Sequence, residues 1–127
     1  MRIQFDTDFL IYALSQAGAE RNRLRRAAES EAVLQISGIA WYEFCRGPRL
    51  PEQIAVARSL FATDGVIPFD EALAAQAAEI FRRLGSPRRR AADIAIGVTA
   101  AASSAILLTR NARDFAGIPD LQLEAVS

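Results

Sequence analysis

Short β-type runs alternate with stretches of helical periodicity along the whole of this chain, and that alternation leaves few ways for it to fold. Arg2–Phe5 alternates polar and apolar residues, then gives way at Asp6, Thr7 and Asp8 to Leu10, Ile11 and Leu14 at helical spacing. Residues 19–31 suit a charged surface helix, and residues 33–36 a second strand. Ser37 or Gly38 is placed to cap a helix over residues 39–46, which Gly47, Pro48 and Pro51 interrupt before another over residues 51–61. A turn at Asp64 and Gly65 leads to a short strand at residues 66–68, and Asp70 caps an alanine-rich helix to about Leu84. Residues 85–90 read as a loop, residues 91–102 as a helix apolar nearly all round, residues 106–108 as a strand and residues 121–124 as a last strand. The expected fold is α/β, a three-layer α/β/α arrangement with a mainly parallel central sheet.

With 127 residues, 51% of them hydrophobic, the chain can bury one ordinary core, so residues 1–127 are expected to form a single domain. No leading segment reads as a signal peptide, because Asp6 and Asp8 interrupt the first apolar run, and no apolar stretch is long enough to span a bilayer. A cytoplasmic protein without membrane contact is the expectation. The lone Cys45 among apolar neighbours fits a packing role in a reduced compartment.

The missing residue types are equally informative. There is no histidine and only one cysteine, so a Cys/His zinc site and a Ser/His/Asp or Cys/His nucleophile are excluded. All 15 basic residues are arginine, which removes P-loop and Schiff-base lysines. A formal net charge of zero argues against a protein that coats nucleic acid through a broad basic surface. Chemistry in this chain has to run on carboxylates.

In an open α/β sheet, ligands bind beyond the carboxyl ends of the strands, and four acids are placed there. Asp6 ends the first strand, Glu43 lies a turn into the helix after the second, Asp93 opens the apolar helix, and Asp114 follows the strand ending at Leu108. Each also has a plainer explanation. Asp6 or Asp8 can cap the first helix, and for Asp8 capping is the preferred reading. Glu43 serves equally as a partner for Arg46 and as a functional acid interrupting an apolar run. Asp93 can pair with Arg89 or Arg90, yet an acid on so apolar a helix favours function. Asp114 taken alone reads as a turn residue. Ser37 and Thr109, at strand ends, have hydroxyls within reach of carboxylates. Residues 88–90 read as a solvated arginine run before a phosphate clamp, and Trp41, Tyr42, Phe44, Phe81 and Phe115 as core before base-stacking groups. Carboxylates converging in one cleft repel one another unless a cation neutralises them, and Mg²⁺ prefers such oxygen ligands.

These residues together resemble the PIN-domain ribonucleases and, among them, the VapC-type toxins of bacterial toxin–antitoxin pairs. The resemblance is carried by Asp6, Thr7, Asp8, Leu10, Ile11 and Tyr12; by Glu43 within Trp41, Tyr42 and Phe44; by Asp93 before Ile94, Ala95 and Ile96; and by Leu107, Leu108, Thr109, Arg110, Asn111, Arg113, Asp114, Phe115, Ile118 and Pro119. It implies a PIN-like fold with Asp6, Glu43, Asp93 and Asp114 as a four-carboxylate site, supported by Thr109 and Asn111. Two departures stand out: members usually carry asparagine at the position of Asp8, and many place the fourth acid where this chain has Asn111.

The implied activity is Mg²⁺-dependent endoribonuclease cleavage, with Mn²⁺ as a substitute ion. Asp6 and Asp93 would bind the metal, while Glu43 and Asp114 would orient water or accept its proton. The implied partners are an RNA substrate and a VapB-like antitoxin, in a homodimer or a heteromeric toxin–antitoxin complex. Two other readings compete. A haloacid-dehalogenase-like phosphatase would use Asp6 and Asp8, but it wants a lysine and a later aspartate pair that are absent. A catalytically silent PIN-like module would only bind a protein or RNA partner, and would not need Asp93 to hold a metal.

Overall fold

The computed structural model describes residues 1–127. Five strands form one sheet in the order β3-β2-β1-β4-β5, with every neighbouring pair parallel. The strands are β1 (Arg2–Phe5), β2 (Val33–Ser37), β3 (Val66–Ile67), β4 (Ala105–Thr109) and β5 (Gln122–Ala125). Six helices connect and cover them: α1 (Thr7–Ser15), α2 (Ala19–Glu29), α3 (Gly38–Cys45), α4 (Pro51–Arg58), α5 (Glu71–Arg83) and α6 (Ala91–Ala102). The sheet is thus wholly parallel and lies between helical layers, as a parallel sheet must to bury both faces. None of the helices is long and apolar enough to cross a membrane.

Strand β1 is the centre of the molecule. Phe5 stands in register with Ile36 of β2 on one side and Leu108 of β4 on the other. Because the chain winds outward from β1 in both directions, the carboxyl end of β1 is the switch point at which loops from both halves meet. Phe5 stacks on Phe9 at 5.6 Å and meets Phe61 at 5.8 Å, tying the strand to its helical cover.

Local chemistry sets several boundaries. Ser37 Oγ accepts from the N–H groups of Ile39 (3.0 Å) and Ala40 (3.4 Å), starting α3 directly at the end of β2. This is the capping role the sequence offers for Ser37, and no carboxylate accepts from its hydroxyl. Asp70 caps α5 by accepting from the Leu73 N–H. The helix expected over residues 51–61 ends at Arg58, because the Arg58 guanidinium takes the carbonyls of Phe61, Ala62 and Thr63 and folds the chain back. The segment over residues 85–90 is not wholly loop: Arg88–Arg90 forms a 3₁₀ turn leading into α6. At Gly97 a Cβ would sit 2.5 Å from Ile118 Cδ1 and 3.3 Å from Phe115, so glycine lets α6 close against the segment after β4. Cys45 is a free thiol packed beside the core, and burial pushes its pKa up.

The alternation within β1 suggests a strand with one wet face, but Gln4 is fully buried. Its Nε2 donates to the Ile96 carbonyl of α6 at 2.9 Å, and its Oε1 accepts from Gln35 Nε2 at 2.7 Å across the β1–β2 pair. Gln35 Oε1 is buried without a partner. Gln4 is therefore the only bridge between Gln35 and the helix layer, and losing it strands the remaining polar atoms in the core. Gln4→Leu should lower the unfolding free energy by about 1–3 kcal/mol in denaturant titrations. The Gln4→Leu/Gln35→Leu double variant should be more stable than Gln4→Leu alone, because no buried polar atom is then left unpaired. Simple addition of two destabilisations would contradict this account.

Candidate active site

Asp6 is the residue just past β1 and the N-cap of α1. Its backbone N–H donates to the Leu108 carbonyl at 3.0 Å, extending the β1–β4 pairing by one residue. This brings Thr109, the last residue of β4, alongside its side chain. Thr109 Oγ1 donates to Asp6 Oδ2 at 2.9 Å, and the Thr7 N–H donates to Asp6 Oδ1 at 2.7 Å. Asp6 is only 6% exposed. Burial raises its pKa to about 6, against the lowering effect of these two hydrogen bonds, with Asp8 and Glu43 adding repulsion.

The Thr7 hydroxyl reaches across to α3 and donates to Glu43 Oε1 at 2.7 Å. This bond, which nothing in the residue spacing announces, holds one oxygen of Glu43 and joins the starts of the first and second βα units. The expected Arg46–Glu43 contact exists only at its limit, with Nη2 4.0 Å from Oε2.

Asp93 stands in the first turn of α6. The chain has four ion pairs and none includes Asp93, so pairing with Arg89 or Arg90 does not occur. Arg90 instead donates to the backbone carbonyls of Asp114 and Ala116, bracing the 3₁₀ turn Ala112–Phe115. Arg90 thus serves as a structural tie, while Arg88 and Arg89 are exposed. Partial burial, and then the charges of Asp6, Asp114, Glu43 and Asp8 in that order, push the Asp93 pKa up to about 7.

Asp114 is carried by that braced turn into the same cleft, so the turn-residue reading does not account for its side chain. Asn111 is exposed and lies outside the cleft lining; its backbone N–H donates to Thr109 Oγ1 at 3.0 Å, so it steadies the threonine that holds Asp6. The neighbouring Arg110 fastens the loop by pairing with Glu20 at 2.9 Å, with its guanidinium carbon 3.5 Å from the Tyr12 ring centroid. Asp8 does not cap α1, since Asp6 occupies that position; Asp8 lies in the first turn and faces the cleft.

The result is a cleft of about 260 Å³ lined by Asp6, Thr7, Asp8, Ile11, Glu43, Arg46, Asp93 and Asp114. Larger hollows of about 340 Å³ beside α5 and α6 and about 400 Å³ between α1 and α4 have no comparable gathering of acids. Five carboxylates faced by one guanidinium leave negative charge uncompensated, which suits a hard divalent cation with oxygen ligands. No three of the acids converge closely enough to encircle an ion as they stand. A hard divalent cation that keeps several of its waters would need only one or two of these carboxylates directly. Asp6 and Asp93, whose pKa values burial raises, are the residues that would hold it. Of the aromatic residues expected in the core, Phe44 and Phe115 are buried, whereas Tyr42 is 62% exposed.

A family model described as PIN domain matches residues 3–121. No curated protein matches the chain significantly. Among solved structures, the chain is similar to a toxin–antitoxin complex from Klebsiella pneumoniae, with 26% identity over 97% of this chain and 96% of that one and a TM-score of 0.73. It is similar in fold to VapBC2 from Rickettsia felis bound to a DNA fragment from its promoter, with 22% identity over 98% of both chains and a TM-score of 0.74. FitAcB from Neisseria gonorrhoeae is a further neighbour, at 24% identity over 97% of this chain and 96% of that one, with a TM-score of 0.68. The family match spans nearly the whole α/β/α unit, including all four acids that the strand ends gather, and the chain belongs to the PIN-domain family.

Proposed function

We propose that this chain is a divalent-metal-dependent endoribonuclease acting as the toxin of a type II toxin–antitoxin pair, with residues 1–127 as one PIN domain. The observation that carries the chemistry is the meeting of Asp6, Glu43, Asp93 and Asp114 in one cleft, with Asp6 and Asp93 pushed up to about 6 and about 7. The partner is inferred from the solved neighbours, which are toxin–antitoxin complexes and in some cases bound to DNA. A VapB-like antitoxin in a heteromeric complex follows from that likeness.

The reaction proposed is hydrolysis of an RNA phosphodiester. A Mg²⁺ or Mn²⁺ ion held by Asp6 and Asp93 would supply Lewis-acid stabilisation of phosphate charge and a more acidic water. The chain's own groups do the positioning. Thr109 and the Thr7 N–H fix both oxygens of Asp6, while the Thr7 hydroxyl fixes Oε1 of Glu43 and leaves Oε2 facing Arg46. Glu43 Oε2 and the Asp114 carboxylate are then the free bases at the cleft wall, available to accept the proton of the attacking water. The hydroxyl of Thr7 matters because an unrestrained Glu43 has three side-chain torsions to order before it can act.

Purified protein should cleave RNA with Mg²⁺ or Mn²⁺ and lose that activity in chelator. Asp93→Asn should reduce single-turnover cleavage by about 10²-fold or more at unchanged fold. Equal cleavage by the two proteins would overturn the assignment. Cleavage by neither would favour a catalytically silent module.

The same charges set a stability profile. Asp6 and Asp93 bind protons more tightly in the folded chain than in the unfolded one, where the carboxyl value is 3.8. Their contribution to stability is therefore full below that value and is lost as pH rises through about 6 and then about 7. Without metal, Tm should fall between about pH 5 and about pH 8, and fall less in Asp93→Asn. Mg²⁺ should raise the Tm of the wild type more at the higher pH, since it then replaces missing protons. A metal effect equal at both pH values would contradict this.

A further inference from the structure

An RNA strand entering this cleft approaches five carboxylates, and one or two divalent ions do not remove all of that charge. Half of the chain's fourteen other arginines are committed elsewhere. Arg23 and Arg110 pair with Glu124 and Glu20, Arg83 pairs with Glu79, and Arg21, Arg49, Arg58 and Arg90 donate to backbone carbonyls. Arg46 is the only basic residue in the cleft lining.

Little holds Arg46 in place. Its side chain is 58% exposed, and its contact with Glu43 is 4.0 Å long. An exposed pair of that kind adds little stability and yields readily to a better anion. The guanidinium carbon also lies 5.3 Å from the centroid of the Tyr42 ring, one helical turn back on α3. Tyr42 is 62% exposed, although its neighbours Trp41 and Phe44 stack on one another within the fold at 5.7 Å. An exposed aromatic ring beside the guanidinium that meets Glu43 at the cleft wall supplies the two parts used to hold single-stranded nucleic acid. The ring offers a stacking face and the guanidinium a phosphate contact.

We propose that Arg46 and Tyr42 form the substrate-holding edge of the cleft, Arg46 binding a phosphate of the RNA strand and Tyr42 stacking on an unpaired base next to it. This rests on the ribonuclease reading. The phosphate draws Arg46 away from its long contact with Glu43, which leaves Glu43 Oε2 wholly unpaired while substrate is seated. Arg46 thus gives the electrostatic return for bringing a polyanion to an acidic site, and Tyr42 gives sequence-tolerant grip on single-stranded regions.

The test is fluorescence anisotropy of a labelled, mixed-sequence, unstructured oligoribonucleotide with full-length protein in Mg²⁺, using the Asp93→Asn background so that the probe is not cut. Titrations at several salt concentrations read both Kd and its salt slope. Arg46→Gln should raise Kd by about three- to tenfold and reduce the slope of log Kd against log salt by about 0.7. Arg46→Lys should keep the slope. Tyr42→Leu should raise Kd by about fivefold or more with the slope unchanged, and Tyr42→Phe should bind as the parent does. Binding with the same Kd and slope in Arg46→Gln and Tyr42→Leu would overturn this proposal and leave the ribonuclease reading standing. Failure of the parent to bind RNA at any salt would overturn this proposal, while the ribonuclease reading stands or falls separately on RNA cleavage by the wild-type chain.

Discussion

A carboxylate held out of water at the end of the central strand is the constraint on which the rest of this molecule depends. Asp6 sits where β1 ends, and β1 is flanked on both sides by parallel neighbours. The hydrogen bond from its N–H to Leu108 sets the β1–β4 register at the point that brings Thr109 to its side chain. A slip of one residue would turn Thr109 to the other face of the sheet and leave Asp6 half-satisfied. Fold and site therefore share one register: the pairing that packs Phe5 beside Leu108 also presents the acid.

The other acids reach Asp6 by separate physical routes. Glu43 arrives because Ser37 starts α3 directly at the end of β2 and Thr7 ties that helix to α1. Asp93 arrives on α6, which comes close to the segment after β4 because Gly97 has no side chain. Asp114 arrives on a turn whose carbonyls are pinned by Arg90. None of these ties is itself an acid–cation pair, so the fold assembles the carboxylates without neutralising them. Burial first, and then the charges of the neighbouring acids, keep the pKa values of Asp6 and Asp93 raised in the folded protein, a cost that a bound cation would offset.

Much of this was legible in the amino-acid order because the elements obey local rules. Ala91–Ala102 reads as a buried helix from its small apolar residues, and Asp70 and Ser37 mark helix starts by their capping chemistry. The acids at strand ends were legible because a parallel sheet sends its loops to one edge. What stayed hidden depends on partners far away in sequence. Nothing in the residue order marks Gln4 as buried or names its partners, the Ile96 carbonyl and Gln35. The arginine run at Arg88–Arg90 suggested solvent or phosphate, whereas Arg90 is spent on two carbonyls 24 and 26 residues away. Tyr42 sat in an apolar run that implied core, but the helix turns its ring outward. The Thr7–Glu43 bond spans 36 residues, and no local pattern encodes it.

If the carboxylates are held as a charge-starved receptor for a divalent ion, ion binding must expel protons from them. The most direct measurement is calorimetric titration of the wild-type chain with Mn²⁺ in buffers of different ionisation enthalpy, repeated across pH and with Asp93→Asn. The account requires binding that releases protons near about pH 6.5, where Asp6 and Asp93 are partly protonated, and that releases almost none near about pH 8.5. Asp93→Asn should bind more weakly and release fewer protons. Proton release that is the same at both pH values, or Mn²⁺ affinity unchanged by Asp93→Asn, would contradict it.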